Sequence, residues 1–228
     1  MKALRWTLGG LGDVFLTAGL LLLLFVSWQL WWTDVTANRV QATEVRTLTH
    51  DFASATTTPR GVTPTPVAFG KAFAILRIPR LGADYARPIL EGTSHDILQD
   101  GIGHYVGTSL PGAVGNFAVA GHRTTYGRPF HDIDTLVPGD LVIVETRSAY
   151  TVYAVKRHVI VLPTQVEVLD PVPQHPGARP TVGWMTMTAC HPKYSAAKRY
   201  VVFAELVHVY PHAGGLPPGT LAVPKGAP

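Results

Sequence analysis

Residues 14–32, VFLTAGLLLLLFVSWQLWW, constrain this chain most: 19 residues near the N-terminus carry no charge. As an α-helix the run extends about 28 Å at 1.5 Å per residue, close to the roughly 30 Å hydrocarbon core of a bilayer. Trp28, Trp31 and Trp32 gather at its far end, and indole rings favour the membrane–water interface. A cleaved signal peptide would have a shorter apolar stretch followed by a small-residue cleavage site, whereas this run ends in bulky rings. Lys2 and Arg5 precede it, so the positive-inside tendency keeps residues 1–13 in the cytoplasm. The expectation is a single-pass anchor at 14–32 in the cell membrane, displaying an extracytoplasmic domain.

Beyond the span, residues 33–54 are polar, with a weak helical spacing of Val35, Val40, Val45 and Leu48. No continuous apolar face supports a packed helix, so this stretch reads as a stalk. TTTPRGVTPTP at 56–66 is rich in Thr and Pro and reads as an extended spacer, completing a stalk-and-linker region over 33–69. From Phe73 the texture changes to apolar runs of β type between turn signals. Strands are expected near 73–78, 116–121, 140–146, 149–162, 181–189 and 199–210. A turn is expected at Val137-Pro138-Gly139-Asp140, where Pro fixes φ and Gly tolerates a positive one. One short helix is expected at 94–100, with Thr93 as cap and Asp96 three residues later. The 22 Gly and 19 Pro agree with many short strands, hence a mainly antiparallel sandwich or barrel over 70–210. The tail at 211–228 has too few apolar residues to pack and is expected to be disordered. No internal repeat is present.

Charge excludes some functions. The net charge is +4, but the arginines stand mostly alone, so neither a clustered basic patch nor a reader motif points to nucleic acid. His104, His122 and His131 do not follow a common metal-ligand spacing, and no acidic cluster suggests calcium, so no metal and no cofactor are expected.

The chain has one cysteine, Cys190, which cannot form an internal disulfide. Outside the cytoplasm an unpaired thiol is an oxidation liability, so it is either an incidental small core residue or a reactive group. Cys190 follows the apolar run WMTMTA and precedes His191-Pro192, where proline stops the strand and leaves the thiol at a rim. The next strand starts at Arg199; if the two pair antiparallel, connectivity alone brings Cys190 and Arg199 to one edge. His122 also ends a strand, although spacing does not show that it reaches the same place. The chemistry that would join them is acyl transfer. A thiol needs a partner to take its proton, an imidazole suits that task near neutral pH, and a guanidinium can stabilise charge developing on the attacked oxygen. Taken one at a time, a buried thiol, a structural histidine and a surface arginine are the ordinary readings. His122 lies 68 positions before Cys190, whereas papain-like enzymes place the cysteine first.

GNFAVAGHRTTYG at 115–127, PFHDIDTLVPGD at 129–140 and TMTACHPKYSAAKRYVVFAEL at 186–206 resemble the sortase family, most closely its class E members from actinobacteria. The similarity spans roughly residues 70–210. It implies a closed eight-stranded β-barrel with one or two short helices behind a transmembrane helix. Position by position, the family's nucleophile falls on Cys190, its acid/base histidine on His122 and its arginine on Arg199. The resemblance implies a membrane-anchored cysteine transpeptidase of Gram-positive type. Such an enzyme cleaves a C-terminal Leu-Ala-x-Thr-Gly or Leu-Pro-x-Thr-Gly signal on surface proteins between Thr and Gly. The protein is then passed, through a thioacyl intermediate, to an amine of a cell-wall precursor or pilin. Class E relatives favour Leu-Ala-x-Thr-Gly, a preference linked to a tyrosine for which Tyr105 is the candidate. Thr188 and Ala189 beside the nucleophile are the other candidate substrate contacts. Ala189 stands where the family has a hydroxyl residue, and Met187 where it has Leu. Residues 163–180 occupy the place of the family's specificity loop. Leu216-Pro217-Pro218-Gly219-Thr220 has its last two residues in the wrong order for a sorting signal, and no apolar span follows it. The chain therefore reads as enzyme and not as substrate. The alternatives are a cysteine endopeptidase, with water in place of the amine, and a non-catalytic module for envelope assembly.

Overall fold

The computed structural model describes residues 2–54 and 67–227; the Thr/Pro-rich spacer at 56–66 lies outside the described residues. Helix α1 runs without a break from Lys2 to Ala53. Its apolar half is long and apolar enough to cross a membrane, with a mean hydropathy of 2.0 and no burial against the rest of the protein. The rings of Trp28 and Trp32 stack 5.9 Å apart.

The stretch read as a stalk is thus the second half of α1, and it docks on the domain. Ala37, Gln41, Leu48 and Phe52 are buried, with Val45 half-buried between them. Steps of four, four, three and four residues put these five on one helical face. Gln41 in the middle of the stripe, and the exposed position of Val40, explain why the hydrophobic pattern alone does not reveal it. Leu48 and Phe52 pack on Ile75 of the first strand.

Eight strands follow: β1 (Ala72–Arg77), β2 (Ala86–Glu91), β3 (Ile102–His104), β4 (Gly115–Ala120), β5 (Leu141–Thr146), β6 (Ala149–Val161), β7 (Gly183–His191) and β8 (Lys198–Pro211). They close into a barrel in the order β1-β2-β3-β4-β7-β8-β6-β5. The β2–β3 and β4–β7 pairs are parallel, the rest antiparallel. Six of these strands match the expected runs to within two residues at each end. β2 and β3 go unread in the sequence because Pro88 interrupts one and the other has three residues.

Alternation along the strands divides the barrel interior from its outer surface. Ala74 and Leu76, Phe117 and Val119, Met185, Met187 and Ala189, and Tyr200, Val202 and Ala204 fill the interior. Ile75 points the other way, under α1. Tyr153 is fully buried and its hydroxyl accepts the Gly112 N–H at 2.7 Å, so the largest interior side chain leaves no unpaired polar atom. Closure removes the exposed edges that would otherwise invite strand pairing between molecules.

The turn at Val137–Asp140 forms as expected: Gly139 has φ 94°, Asp140 N–H donates to Val137 O, and the Asp140 carboxylate accepts the Val137 N–H at 2.8 Å. Two local expectations need correction. Helix α2 spans His95–Asp100 with Ser94, not Thr93, at its N-cap, and Ser94 makes no side-chain cap bond. The start of the tail is ordered against the barrel: His212 bonds Glu145 at 3.1 Å and stacks on Tyr150 at 4.7 Å. These histidine contacts compensate for the scarcity of apolar residues there. Farther on, Gly226 O accepts from Arg80.

Candidate active site

β7 and β8 pair so that Cys190 faces Arg199 directly in the register. Because Met187 and Ala189 point inward, Thr186, Thr188 and Cys190 share the outer face of β7. By the same parity Arg199, Val201 and Phe203 share the outer face of β8. The thiol therefore lies on the outside of the barrel wall, half-exposed, at the place where Pro192 ends the ladder.

β4 runs parallel to β7 with Ala120 opposite Thr188, and the Gly121 N–H extends the ladder to Thr188 O at 3.1 Å. His122 is the next residue, delivered to the end of the same wall. Gly121 is needed there: a Cβ would lie 2.6 Å from the ring of Phe130, whose own N–H donates to His122 O at 3.0 Å. A cleft of about 210 Å³ is lined by His122, Cys190 and Arg199 together with Thr93, Leu98, Tyr105, Ala120, Gly121, Thr188 and Ala189. All six residues named from the sequence thus border one cavity. Ala189 does so while its side chain belongs to the interior core, so a hydroxyl at this position would face that core.

The His122 imidazole has the ring of Tyr126 at 5.1 Å and that of His95, from α2, at 6.2 Å. Its Nε2 is buried and bonds to no group among the described residues. Burial, and after it the charge of His95, hold its pKa below the ordinary imidazole value, so the neutral ring is favoured. Arg199 Nη1 donates to Ala196 O at 2.9 Å and to Lys198 O at 3.0 Å, which aims the guanidinium fork and leaves Nη2 and Nε for another acceptor.

Tyr105 is held by its N–H to Ala118 O, and its hydroxyl shares a hydrogen bond with Thr188 Oγ1 at 3.0 Å. These two residues and Arg199 also line an adjoining groove of about 170 Å³, whose other wall is Val161–Pro163, Gln165, Val166, Val168 and Leu169. The groove runs out from the thiol along the outer face of β7 and β8.

Sequence reasoning misses Arg123. It is buried beside His122 and reaches Asp134 at 2.6 Å, His191 Nδ1 at 3.0 Å and the Cys190 carbonyl at 3.4 Å. It ties the histidine loop to the cysteine strand. Its only sequence signal is its place next to His122, which carries no pattern. Of the other histidines considered, His104 is paired with Glu91 at 2.6 Å, and His131 Nδ1 donates to Arg123 O at 2.8 Å.

Fold and cleft define a closed β-barrel protein with a thiol, an imidazole and a guanidinium on one outer wall. The Sortase domain profile matches residues 76–207, and the chain belongs to the sortase family. It is 39% identical over 215 residues to sortase SrtE1 of Streptomyces coelicolor, an alignment covering 91% of this chain and 59% of that protein. It is 34% identical over 207 residues to SrtE2 of the same organism, covering 86% of this chain and 81% of that one. The chain thus spans about three fifths of the length of SrtE1. Among solved structures, sortase E of Streptomyces avermitilis is 41% identical with a TM-score of 0.61, covering 67% of this chain and 99% of that one. Sortase E1 of S. coelicolor, solved with a tripeptide in the active site, is 39% identical with a TM-score of 0.60, covering 67% and 98%.

Proposed function

We propose that this chain is a membrane-anchored cysteine transpeptidase, held in the cell membrane by the apolar half of α1 with its catalytic barrel outside the cytoplasm. Its substrates are surface proteins bearing a C-terminal Leu-Ala-x-Thr-Gly or Leu-Pro-x-Thr-Gly signal, and its acceptor is an amine of a cell-wall precursor or pilin. The observation that carries this reading is the direct opposition of Cys190 and Arg199 in a cleft that His122 also lines. The similarity to class E sortases supports the signal, and the groove along β7 and β8 offers an extended peptide an apolar wall beside the thiol.

Neutral His122 takes the proton of the Cys190 thiol as Sγ bonds to the threonine carbonyl carbon. The displaced π electrons collect on the carbonyl oxygen, where the Arg199 fork donates hydrogen bonds. The C–N bond to glycine then breaks, its nitrogen takes the proton from His122, and a thioester remains. The acceptor amine attacks that thioester and gives a proton to His122; the C–S bond breaks and Sγ recovers the proton. Water in place of the amine gives hydrolysis by the same steps. Tyr105 and Thr188 bridge the two grooves, where they can contact the residue that is Ala or Pro in the signal.

The test uses the full chain in detergent micelles, peptides of both signal types, and mass spectrometry with and without an added amine. Cleavage after Thr with the amine joined to the new end is the expected result. Hydrolysis that an amine never diverts would assign the chain to the peptidases, and no acyl-enzyme with either peptide would remove Cys190 from the chemistry.

A further inference from the structure

The juxtamembrane half of α1 grips the segment that carries His122. Tyr126, Gly127 and Arg128 have φ of 52°, 75° and 49°, the left-handed region that residues with a Cβ rarely adopt. Each is held by the helix. Gln41, fully buried, donates Nε2 to Tyr126 O at 3.0 Å and to Gln99 O at 3.4 Å. Asp34 accepts the Gly127 N–H at 3.0 Å, and its second oxygen pairs with Arg128 Nε at 3.0 Å. The approach leaves no room for a side chain: a Cβ on Gly127 would lie 2.9 Å from Asn38 Oδ1 and 3.2 Å from Gln41 Nε2. The clamped turn presents the Tyr126 ring to His122 at 5.1 Å and to His95 at 5.7 Å.

The structure assigns Asp34 and Gln41 as positioning residues for His122: they hold the 126–128 turn in its left-handed conformation, and the Tyr126 ring so placed fixes one side of the imidazole. This assignment rests on the reading of His122 as the acid/base group. Neither Asp34 nor Gln41 lines the cleft, so their effect on the reaction is transmitted through the Tyr126 turn and, for Gln41, also through α2, which carries His95. Polar atoms do this work. Gln41 replaces an apolar residue in the middle of the packed stripe because two carbonyls, Tyr126 O and Gln99 O, need a donor there. The helix that enters the membrane is therefore also part of the support of the histidine.

The groups around His122 are His95 from α2, Tyr126 from its own loop, Tyr105 from the β3–β4 connection, Cys190 from β7 and Arg199 from β8. Releasing Tyr126 changes none of their charges but opens the imidazole to water, which moves its titration up toward the ordinary value. Gln41→Ala is a neutral exchange that frees Tyr126 and the Gln99 carbonyl of α2, whereas the bonds of Asp34 are to the 127–128 backbone and side chain alone, so agreement between the two variants assigns the effect to the turn.

The experiment compares Gln41→Ala, Asp34→Ala and Asp34→Asn with the wild type as full chains in micelles. Leu48→Ala, which loosens the same helix against Ile75 without touching the turn, is the control. Gln41→Ala and Asp34→Ala should lower kcat about tenfold at unchanged KM for the signal peptide. They should also move the acid limb of the pH profile upward. Asp34→Asn keeps an acceptor for the Gly127 N–H and should recover much of the rate, whereas Leu48→Ala should lower Tm and leave kcat and the pH profile alone. Wild-type kcat and pH profile in both alanine variants would overturn the assignment, as would an equal kcat loss in Leu48→Ala. NMR titration of the His122 imidazole in the same chains separates this from the functional reading. A higher pKa in Gln41→Ala supports positioning even if no transpeptidation occurs, and an unchanged one sinks it.

Discussion

Cys190 and Arg199 are opposite partners in the β7–β8 ladder, and both project from the outer face of the barrel while their neighbours Ala189 and Tyr200 pack inside it. The chemistry thus sits on the face turned away from the barrel interior, where Val201 and Phe203 form a separate small cluster with Val161 and Val168. A side chain can be changed on one face without opening a cavity on the other.

Cys190→Ala should therefore abolish formation of the thioester and leave the fold intact. The thiol is half-exposed and belongs to no core cluster, so its loss should change stability by no more than about 0.5 kcal/mol. Intact-mass analysis after mixing with signal peptide, alongside a thermal melt, reads both quantities. An acyl adduct surviving in Cys190→Ala would sink the proposed mechanism.

Arg199→Ala should lower kcat by about 10²–10³-fold, the loss measured when one oxyanion donor is removed elsewhere. Arg199→Lys should recover only part of this, because a single ammonium cannot hold the Ala196 and Lys198 carbonyls and still present a planar fork. Steady-state kinetics on the two variants decide the point, and wild-type kcat in Arg199→Ala would make the residue structural.

The burial that holds the His122 pKa down has a signed effect on stability. An unfolded chain titrates this imidazole near about 6.5. The folded chain does so at lower pH, because the ring is buried and faces His95. Between the two values the unfolded state binds more protons, so stability rises with pH across that window and is lost as pH falls through it. His122→Gln should flatten the decline of Tm below about pH 6.5 and change nothing of it above. In the wild type, the acid limb of kcat/KM should have its midpoint below that value. A midpoint above it would mean that the imidazolium is the resting form, stabilised by a Cys190 thiolate.

Much of the barrel was legible because its strands alternate cleanly or, as in β4 from Phe117 onward, run apolar for several residues. The opposition of Cys190 and Arg199 followed from one proline and one antiparallel connection. His122 could be brought to them only through the parallel β4–β7 pairing, a contact between residues about 70 positions apart that no local pattern encodes. Arg123 and the docked half of α1 were illegible for a related reason. Arg123 is buried through polar bonds, and the apolar stripe of α1 is interrupted by the buried Gln41, whereas a hydrophobic pattern reports only apolar burial. Gln41 at the centre of a helical stripe reads as solvent-facing until its two carbonyl partners, from Gln99 and Tyr126, are brought near by the fold.

Asn116 offers the same kind of hidden polar support to the groove, and it gives a prediction about binding. Its side chain is buried on β4, where Nδ2 donates to Val168 O at 3.1 Å and to Asp170 O at 3.0 Å, while Oδ1 accepts from Thr186 Oγ1 at 2.8 Å. These bonds pin the short helical turn Val166–Leu169, which forms the outer wall of the groove beside Arg199. Asn116→Ala removes three bonds, leaves the Asp170 carbonyl without its donor and keeps only the Thr186 Oγ1–Val168 O contact at 3.3 Å, so it should cost about 1–3 kcal/mol of stability. Asn116→Asp should cost more, since it turns a carboxylate onto two carbonyl oxygens in a buried site. If the groove holds the signal peptide, the wall released in Asn116→Ala should raise KM several-fold while kcat at saturation stays near wild type, because none of the three bonds involves Cys190, His122 or Arg199. Denaturant titration gives the stability change, and initial rates over a range of peptide concentrations give the split between KM and kcat. An unchanged KM in a destabilised Asn116→Ala variant would show that the peptide does not use this wall, and would confine recognition to the cleft around Tyr105 and Thr188.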